Sequence, residues 1–172
     1  MPIYALGDQE PSIASDAYIH PDAVIIGSVT IGSKSTVWPS AVLRGDDGEI
    51  RVGDETSIQD GSVLHTTELL PTIVGSRCVI GHLVHLEGCR IEDDALVGSN
   101  SVVLHDAVVG RGALVAASAV VLGGTKIPDG ALAVGIPASI KPDRADQDSI
   151  RMGAESYVER GERFARELRR LD

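Results

Sequence analysis

The stretch Ile91–Ala133, IEDDALVGSNSVVLHDAVVGRGALVAASAVVLGGTKIPDGALA, decides the fold. Within it Ile91, Val97, Val103, Val109, Val115, Val121, Ile127 and Ala133 fall on a strict count of six. A period of six is neither helical nor that of a simple half-buried strand. It is the hexapeptide signature of a parallel β-helix, in which three short strands make one triangular coil of about eighteen residues and small aliphatic side chains stack inside. Three earlier triplets keep the count, Ile31/Val37/Leu43, Val52/Ile58/Leu64 and Val74/Ile80/Leu86, with irregular gaps between them. No coil can bury its own core, so stability comes from stacking on its neighbours.

Composition agrees. With 172 residues, 19 glycines and only five aromatic residues (Trp 1, Tyr 3, Phe 1), the chain suits one domain of narrow coils with tight corners. A net charge of −10 argues against a nucleic-acid surface. The first residues lack the basic start and apolar run of a secretory signal, and no apolar stretch reaches membrane-spanning length, so the sequence reads as cytoplasmic with no membrane partner. Cys78 and Cys89 lack metal or disulfide spacing and read as reduced thiols on the coil.

Residues 1–12 read as an arm and Ala14–Gly135 as the repeat, so that 1–140 hold the β-helix and its arm and 141–172 an amphipathic helix of the same domain. Ile150, Ala154, Tyr157, Val158, Gly161, Phe164, Ala165, Leu168 and Leu171 recur at three- and four-residue intervals, and Asp148 or Ser149 offers the N-cap. The expected role of this helix is to pack along the β-helix flank. Gly161 works against it locally, by about 1 kcal/mol relative to alanine.

Two gaps in the count, Gly45-Asp46-Asp47-Gly48 and His65–Pro71, predict loops leaving the repeat, where binding faces commonly form. Residues at equal offsets in successive coils stack about 4.8 Å apart. Arg44, His65 and Glu87 each follow the third aliphatic residue of a coil (Leu43, Leu64, Leu86) and form one outward column. Asp60 and His82 each stand two places after Ile58 and Ile80, on a different side of the prism. One chain therefore keeps His82 apart from His65 and Glu87, whereas three copies about a threefold axis bring the columns together at three interfaces.

Two imidazoles and a carboxylate suit zinc with an open position, or ferrous iron. Such an ion lowers the pKa of a bound water towards neutrality and supplies a nucleophile at ordinary pH. Asp60 is placed to orient His82, or to pair with Arg44 across an interface. Gln59 is placed to hydrogen-bond a metal-bound hydroxide or an anionic product, and Glu68, on the loop past His65, to relay protons to solvent. A plainer reading makes the histidines polar residues of a subunit seam and Glu87 a solvated corner. His20 and His105 lack motif context and read as surface residues.

Val37-Trp38-Pro39 through Leu43-Arg44-Gly45-Asp46, Ile58-Gln59-Asp60 through Leu64-His65, Ile80-Gly81-His82 and Gly135-Ile136-Pro137-Ala138 together resemble the gamma-class carbonic anhydrases and their relatives. The resemblance spans nearly the whole chain. It implies a left-handed β-helix, a homotrimer, zinc or iron held by His65 and His82, an Arg44–Asp46 structural ion pair, supporting roles for Gln59 and Asp60, and carbon dioxide or bicarbonate as substrate. The third ligand departs from the family pattern: its second histidine, five residues after the first, is here Glu87, with His85 as the alternative ligand two residues earlier. Glu87 adds negative charge and predicts a weaker Lewis acid. The expected function is accordingly carbonic anhydrase-like chemistry, weak or altered. The alternatives are metal-assisted hydrolysis of a thioester or other small carbonyl compound, a non-catalytic trimeric scaffold and, less favoured, a hexapeptide acyltransferase.

Overall fold

A computed structural model describes residues 2–172. Its core is the ladder read from the count: Val37, Leu43, Ile58, Leu64, Ile80, Leu86, Ile91, Val97, Val103, Val109, Val115, Val121 and Ala133 are all fully buried. They come from a parallel β-solenoid of about seven turns. One face carries Tyr18–Ile19, Thr36–Val37, Ser57–Ile58, Val79–Ile80, Leu96–Val97, Leu114–Val115 and Leu132–Val134. The second and third faces belong to one 12-stranded sheet, because the strands Val24–Ile31 and Val42–Val52 run on around the corner between them. Register is direct, with Leu43 over Leu64, Leu64 over Leu86, and Leu86 over Val103.

The corner between the third and first faces holds a second ladder. Glu55, Arg77 and Asp94 adopt left-handed φ of 54°, 54° and 60°, a conformation that side chains with a Cβ normally avoid. Each is held by its backbone N–H donating to the coil beneath, from Glu55 to Ser33 (2.8 Å), Arg77 to Asp54 (2.8 Å) and Asp94 to Ser76 (2.9 Å). Charges alternate up this corner. Arg77 forks onto Asp94 (2.6 and 3.0 Å), and Arg111 reaches Asp93 and Asp94. The Asp93 carboxylate also accepts from the Ser76 N–H at 2.9 Å. That hydrogen bond first, and then Arg111 and Arg77, hold its carboxyl below the usual aspartate value of 3.8 despite partial burial.

The arm pairs Ile3–Tyr4 in parallel with Ile25–Ile26. At the other end Ser139–Lys141 turns back antiparallel on Leu132–Val134. Two expectations are corrected here. Gly45–Gly48 does not leave the sheet as a loop but lies inside the continuous strand Val42–Val52, since the extra residues are taken up in turning the corner. The helix, α1 (Gln147–Glu167), is capped by Asp146, not by Asp148 or Ser149. The Asp146 carboxylate accepts from both the N–H and the hydroxyl of Ser149, at 3.1 and 2.6 Å, so Ser149 is the cap's partner and Asp148 lies in the first turn facing the helix dipole. Leu168 and Leu171 lie beyond the last turn and are exposed.

α1 packs on the first face, where Ile150, Ala154 and Gly161 are buried. Four of the five aromatic residues gather at this contact. Trp38 lies 5.0 Å from Phe164 and 5.6 Å from Tyr157, and Tyr18 lies 6.1 Å from Phe164. The Trp38 indole N–H donates to Thr36 Oγ1 and Ser57 Oγ, at 2.9 and 3.1 Å. Gly161 is the point of closest approach, because a Cβ there would lie 2.5 Å from Thr36 Cγ2. The glycine that weakens the isolated helix is what lets it dock. Cys78 and Cys89 are free and buried, and burial pushes both thiols up to about 12. No helix is long and apolar enough to cross a membrane among the described residues.

Gly161→Ala is expected to lower the thermal midpoint, although alanine is the better helix former, because overpacking costs about 1–3 kcal/mol; a raised midpoint in thermal unfolding would contradict this docking. Asp93→Asn is expected to lose stability at pH 7. A carboxyl lowered in the folded state favours folding above 3.8 and loses that contribution as pH falls through the folded value. The gap between wild-type and variant midpoints should therefore narrow below about pH 3.8.

Candidate metal centre

The column read from the sequence is present: Arg44 pairs with His65, and His65 with Glu87, in direct strand register. All three stand where the second face ends, at the corner where the count of six breaks. Leu43 to Val52, Leu64 to Val74 and Leu86 to Ile91 span nine, ten and five residues in successive coils.

His65 is the hub. Its Nε2 lies 3.0 Å from Asp46 Oδ1 and its Nδ1 lies 3.3 Å from Glu87 Oε1. Asp46 is also hydrogen-bonded to Arg44. Burial acts to raise the Asp46 carboxyl, but its own backbone N–H, Arg44 and His65 outweigh burial and leave it below the ordinary value. Asp46, Asp47 and His65 bring donor atoms within 4.8 Å of one another, a potential cation-binding set inside one chain. Glu87 faces more imidazole than carboxylate. His85 Nε2 lies 3.0 Å from Glu87 Oε2 and His105 Nε2 lies 3.5 Å from Glu87 Oε1. Burial pulls the Glu87 carboxyl up; hydrogen bonds from His85 and His65 and the charge of His105 bring it below the usual glutamate value.

His82 and Asp60 lie one above the other at the corner between the first and second faces. Asp60 Oδ2 meets His82 Nδ1 at 2.9 Å, and His82 Nε2 has no hydrogen-bond partner among the described residues. Within the chain Asp60 thus engages His82 rather than Arg44. His82 follows the first-face strand and Glu87 ends the second-face strand, so a face of the prism separates His82 from the His65/Glu87 column. Gln59 is buried, with its side-chain amide making no hydrogen bond among the described residues, whereas Glu68 is exposed on the 66–71 segment.

Sequence reasoning missed His105 and Thr72. His105 stands one coil beyond Gly88, with the Asp106 N–H donating to Gly88 O at 2.7 Å. Gly88 has φ +59°, and a Cβ there would lie 3.2 Å from His105 Cδ2. The bare position lets the imidazole lean onto Glu87. The strand register here runs at seventeen residues, which sets His105 over Gly88 and not over Glu87. Thr72 is fully buried, and its hydroxyl donates to the His65 carbonyl (2.5 Å) and accepts from the Gly88 N–H (2.8 Å). It fastens the segment after His65 to the coil of Glu87. Thr66, also fully buried, leaves Oγ1 without a partner among the described residues.

A hexapeptide solenoid with carboxylate-oriented histidines at its corners defines the class, and relatives define the family within it. The hexapeptide repeat of bacterial transferases, described as six repeats, matches residues 10–45 and 88–123. The chain is 45% identical over 152 residues to a probable carbonic anhydrase of Methanocaldococcus jannaschii, covering 87% of this chain and 96% of that protein. It is 36% identical over 159 residues to the mitochondrial gamma carbonic anhydrase 2 of Arabidopsis thaliana, covering 88% of this chain but 57% of that longer protein. A Bacillus cereus protein described as a candidate acetyltransferase superposes with a TM-score of 0.94 at 34% identity, covering 96% of this chain and 98% of the other. The chain belongs to the gamma-class carbonic anhydrase-like family of hexapeptide-repeat proteins.

Thr72→Val is expected to cost about 1–3 kcal/mol, since the isostere fills the space but leaves the His65 carbonyl and Gly88 N–H unpaired. Chemical denaturation checks it, and a loss within error of zero would show that the clip is not needed.

Proposed function

We propose that this protein is a metal-dependent carbonic anhydrase-type enzyme that hydrates carbon dioxide reversibly at sites shared between the subunits of a homotrimer. The observation that carries this reading is His82. Its Nδ1 is taken by Asp60 and its Nε2 is free, the state of a histidine prepared for ligation by its outer partner. The His65/Glu87 column that would complete the set lies beyond reach in the same chain, and a second copy supplies it.

The donors fit a divalent ion. His65 and Glu87 of one subunit and His82 of the next would hold zinc, or ferrous iron, and the ion when bound supplies a Lewis acid that makes water a nucleophile near neutral pH. His65 has both ring nitrogens on carboxylates, so ligation needs one of them freed. Asp46 is the contact that yields, because Arg44 already neutralises it. Asp60 keeps a proton on His82 Nδ1. Gln59 offers its unbonded amide to the anionic product, and exposed Glu68 passes protons to solvent. Arg44 with Asp46 locks the corner. Glu87 brings a full negative charge where the family carries an imidazole, which weakens the Lewis acid and makes carbon dioxide hydration slow.

Metal content, subunit number and carbon dioxide hydration measured on the same anaerobic samples test this. The expected result is about one zinc or iron per chain in a trimer, lost in His82→Ala and Glu87→Ala and kept in Asp47→Asn. Hydration should disappear in His65→Ala and rise about tenfold or more in Glu87→His, a change of at least about 1.4 kcal/mol in the barrier. Metal lost in Asp47→Asn but kept in His82→Ala would place the ion in the intrachain Asp46/Asp47/His65 set instead. An intact trimer that takes up no metal would leave only a scaffold.

A further inference from the structure

We propose that the cleft between α1 and the first face, where Arg160 and Arg163 overhang His82 and Asp60, recognises the oxyanion of a small-molecule substrate, a carboxylate or a phosphate. This rests on the reading of His82 as part of the reactive centre and extends it to the substrate class.

The cleft has a volume of about 450 Å³ and is walled by Trp38, Phe164 and Tyr157 on the apolar side and by Asp60, His82, Arg160 and Arg163 on the polar side. That is room for a small organic molecule, and far more than carbon dioxide needs. Both guanidinium groups stand over rings of their own helix. Arg160 Cζ lies 4.8 Å from the Tyr157 centroid and Arg163 Cζ lies 5.4 Å from that of Phe164. Those rings are fixed in turn by Trp38, 5.6 and 5.0 Å away. Neither guanidinium forms an ion pair with a carboxylate among the described residues, whereas Arg151 and Arg166 of the same helix each do. The carboxylate that shares the cleft, Asp60, is occupied by His82.

Two guanidinium groups without ion pairs, both set over aromatic rings, line one cleft and make it locally cationic on a chain of net charge −10. Guanidinium donors match carboxylate and phosphate geometry, and stacking on the rings holds them in place before the ligand arrives. The arrangement grips the charged end of a substrate and leaves its other end beside His82. A carbonyl compound bearing a carboxylate or phosphate is therefore a second substrate class for the same centre, beside carbon dioxide.

Trp38 is the sole tryptophan and forms part of the cleft wall, so its fluorescence reports the site directly. The full-length protein as purified is titrated with inorganic phosphate and, separately, with succinate, at constant ionic strength. A saturable change is expected with at least one of them. Saturation by phosphate alone or by succinate alone names the group recognised. Binding should weaken at least tenfold in the Arg160→Gln/Arg163→Gln double variant and stay unchanged in Arg151→Gln. The proposal is overturned if wild type shows no saturable change, or if the double variant binds as well as wild type. It is equally overturned if the double variant alters the mass of the assembly by light scattering, which would show that the guanidinium groups grip a second copy. The titration needs no turnover, so absence of metal or of carbon dioxide hydration would overturn the preceding reading without touching this result.

Discussion

The rest of the structure depends on one constraint: every coil must lie in hydrogen-bonded register on the coil beneath it. Backbone N–H groups of one turn point at carbonyls of the next, not only along the strands but at the corners, where Glu55, Arg77 and Asp94 reach down from a left-handed backbone. Such register makes sequence separation irrelevant to proximity. Glu87 lies against His65, and His82 against Asp60, across twenty-two residues each, because each pair is one turn apart. The aliphatic ladder fixes where the turns lie, and whatever stands beside each inward residue is carried into a column.

Where the count breaks, the columns acquire chemistry. Three successive turns take different lengths around the same corner, and there the chain collects Arg44, Asp46, His65, Glu87 and His105. A regular solenoid offers equivalent, solvated corners. An irregular one tilts side chains out of their columns, brings an imidazole down onto the turn below, and buries Thr66 and Thr72 beneath a turn of chain. The regular coils supply rigidity and the irregular corner supplies the polar cluster.

This division also explains how much was legible in the sequence. Columns were, since offset from Leu43, Leu64 and Leu86 is a matter of counting, and so was the stacking of Asp60 on His82. His105 was not, because its register partner is Gly88, and only the bare space over that glycine lets the ring lean aside onto Glu87. Thr72 was hidden for a related reason: nothing in a lone threonine says which carbonyl it will meet. The helix was visible in its apolar spacing, but its cap lies at Asp146, whose carboxylate accepts both the N–H and the hydroxyl of Ser149. Gly161 looked like a weakness because propensity describes a helix alone, whereas its missing side chain is a property of the pair of surfaces in contact.

The antiparallel return of Ser139–Lys141 closes the open edge of the first face. A solenoid of parallel turns ends in a strand edge that is the natural template for another turn, from this chain or from a neighbour. By reversing direction on Leu132–Val134, the final strand presents an edge of the opposite polarity. An incoming parallel coil would find its donors and acceptors out of step, and the charged Lys141 stands on that rim. The return thus acts as a terminator: it limits the length of the stack and keeps a fold built by repeated addition from growing end to end into a fibre.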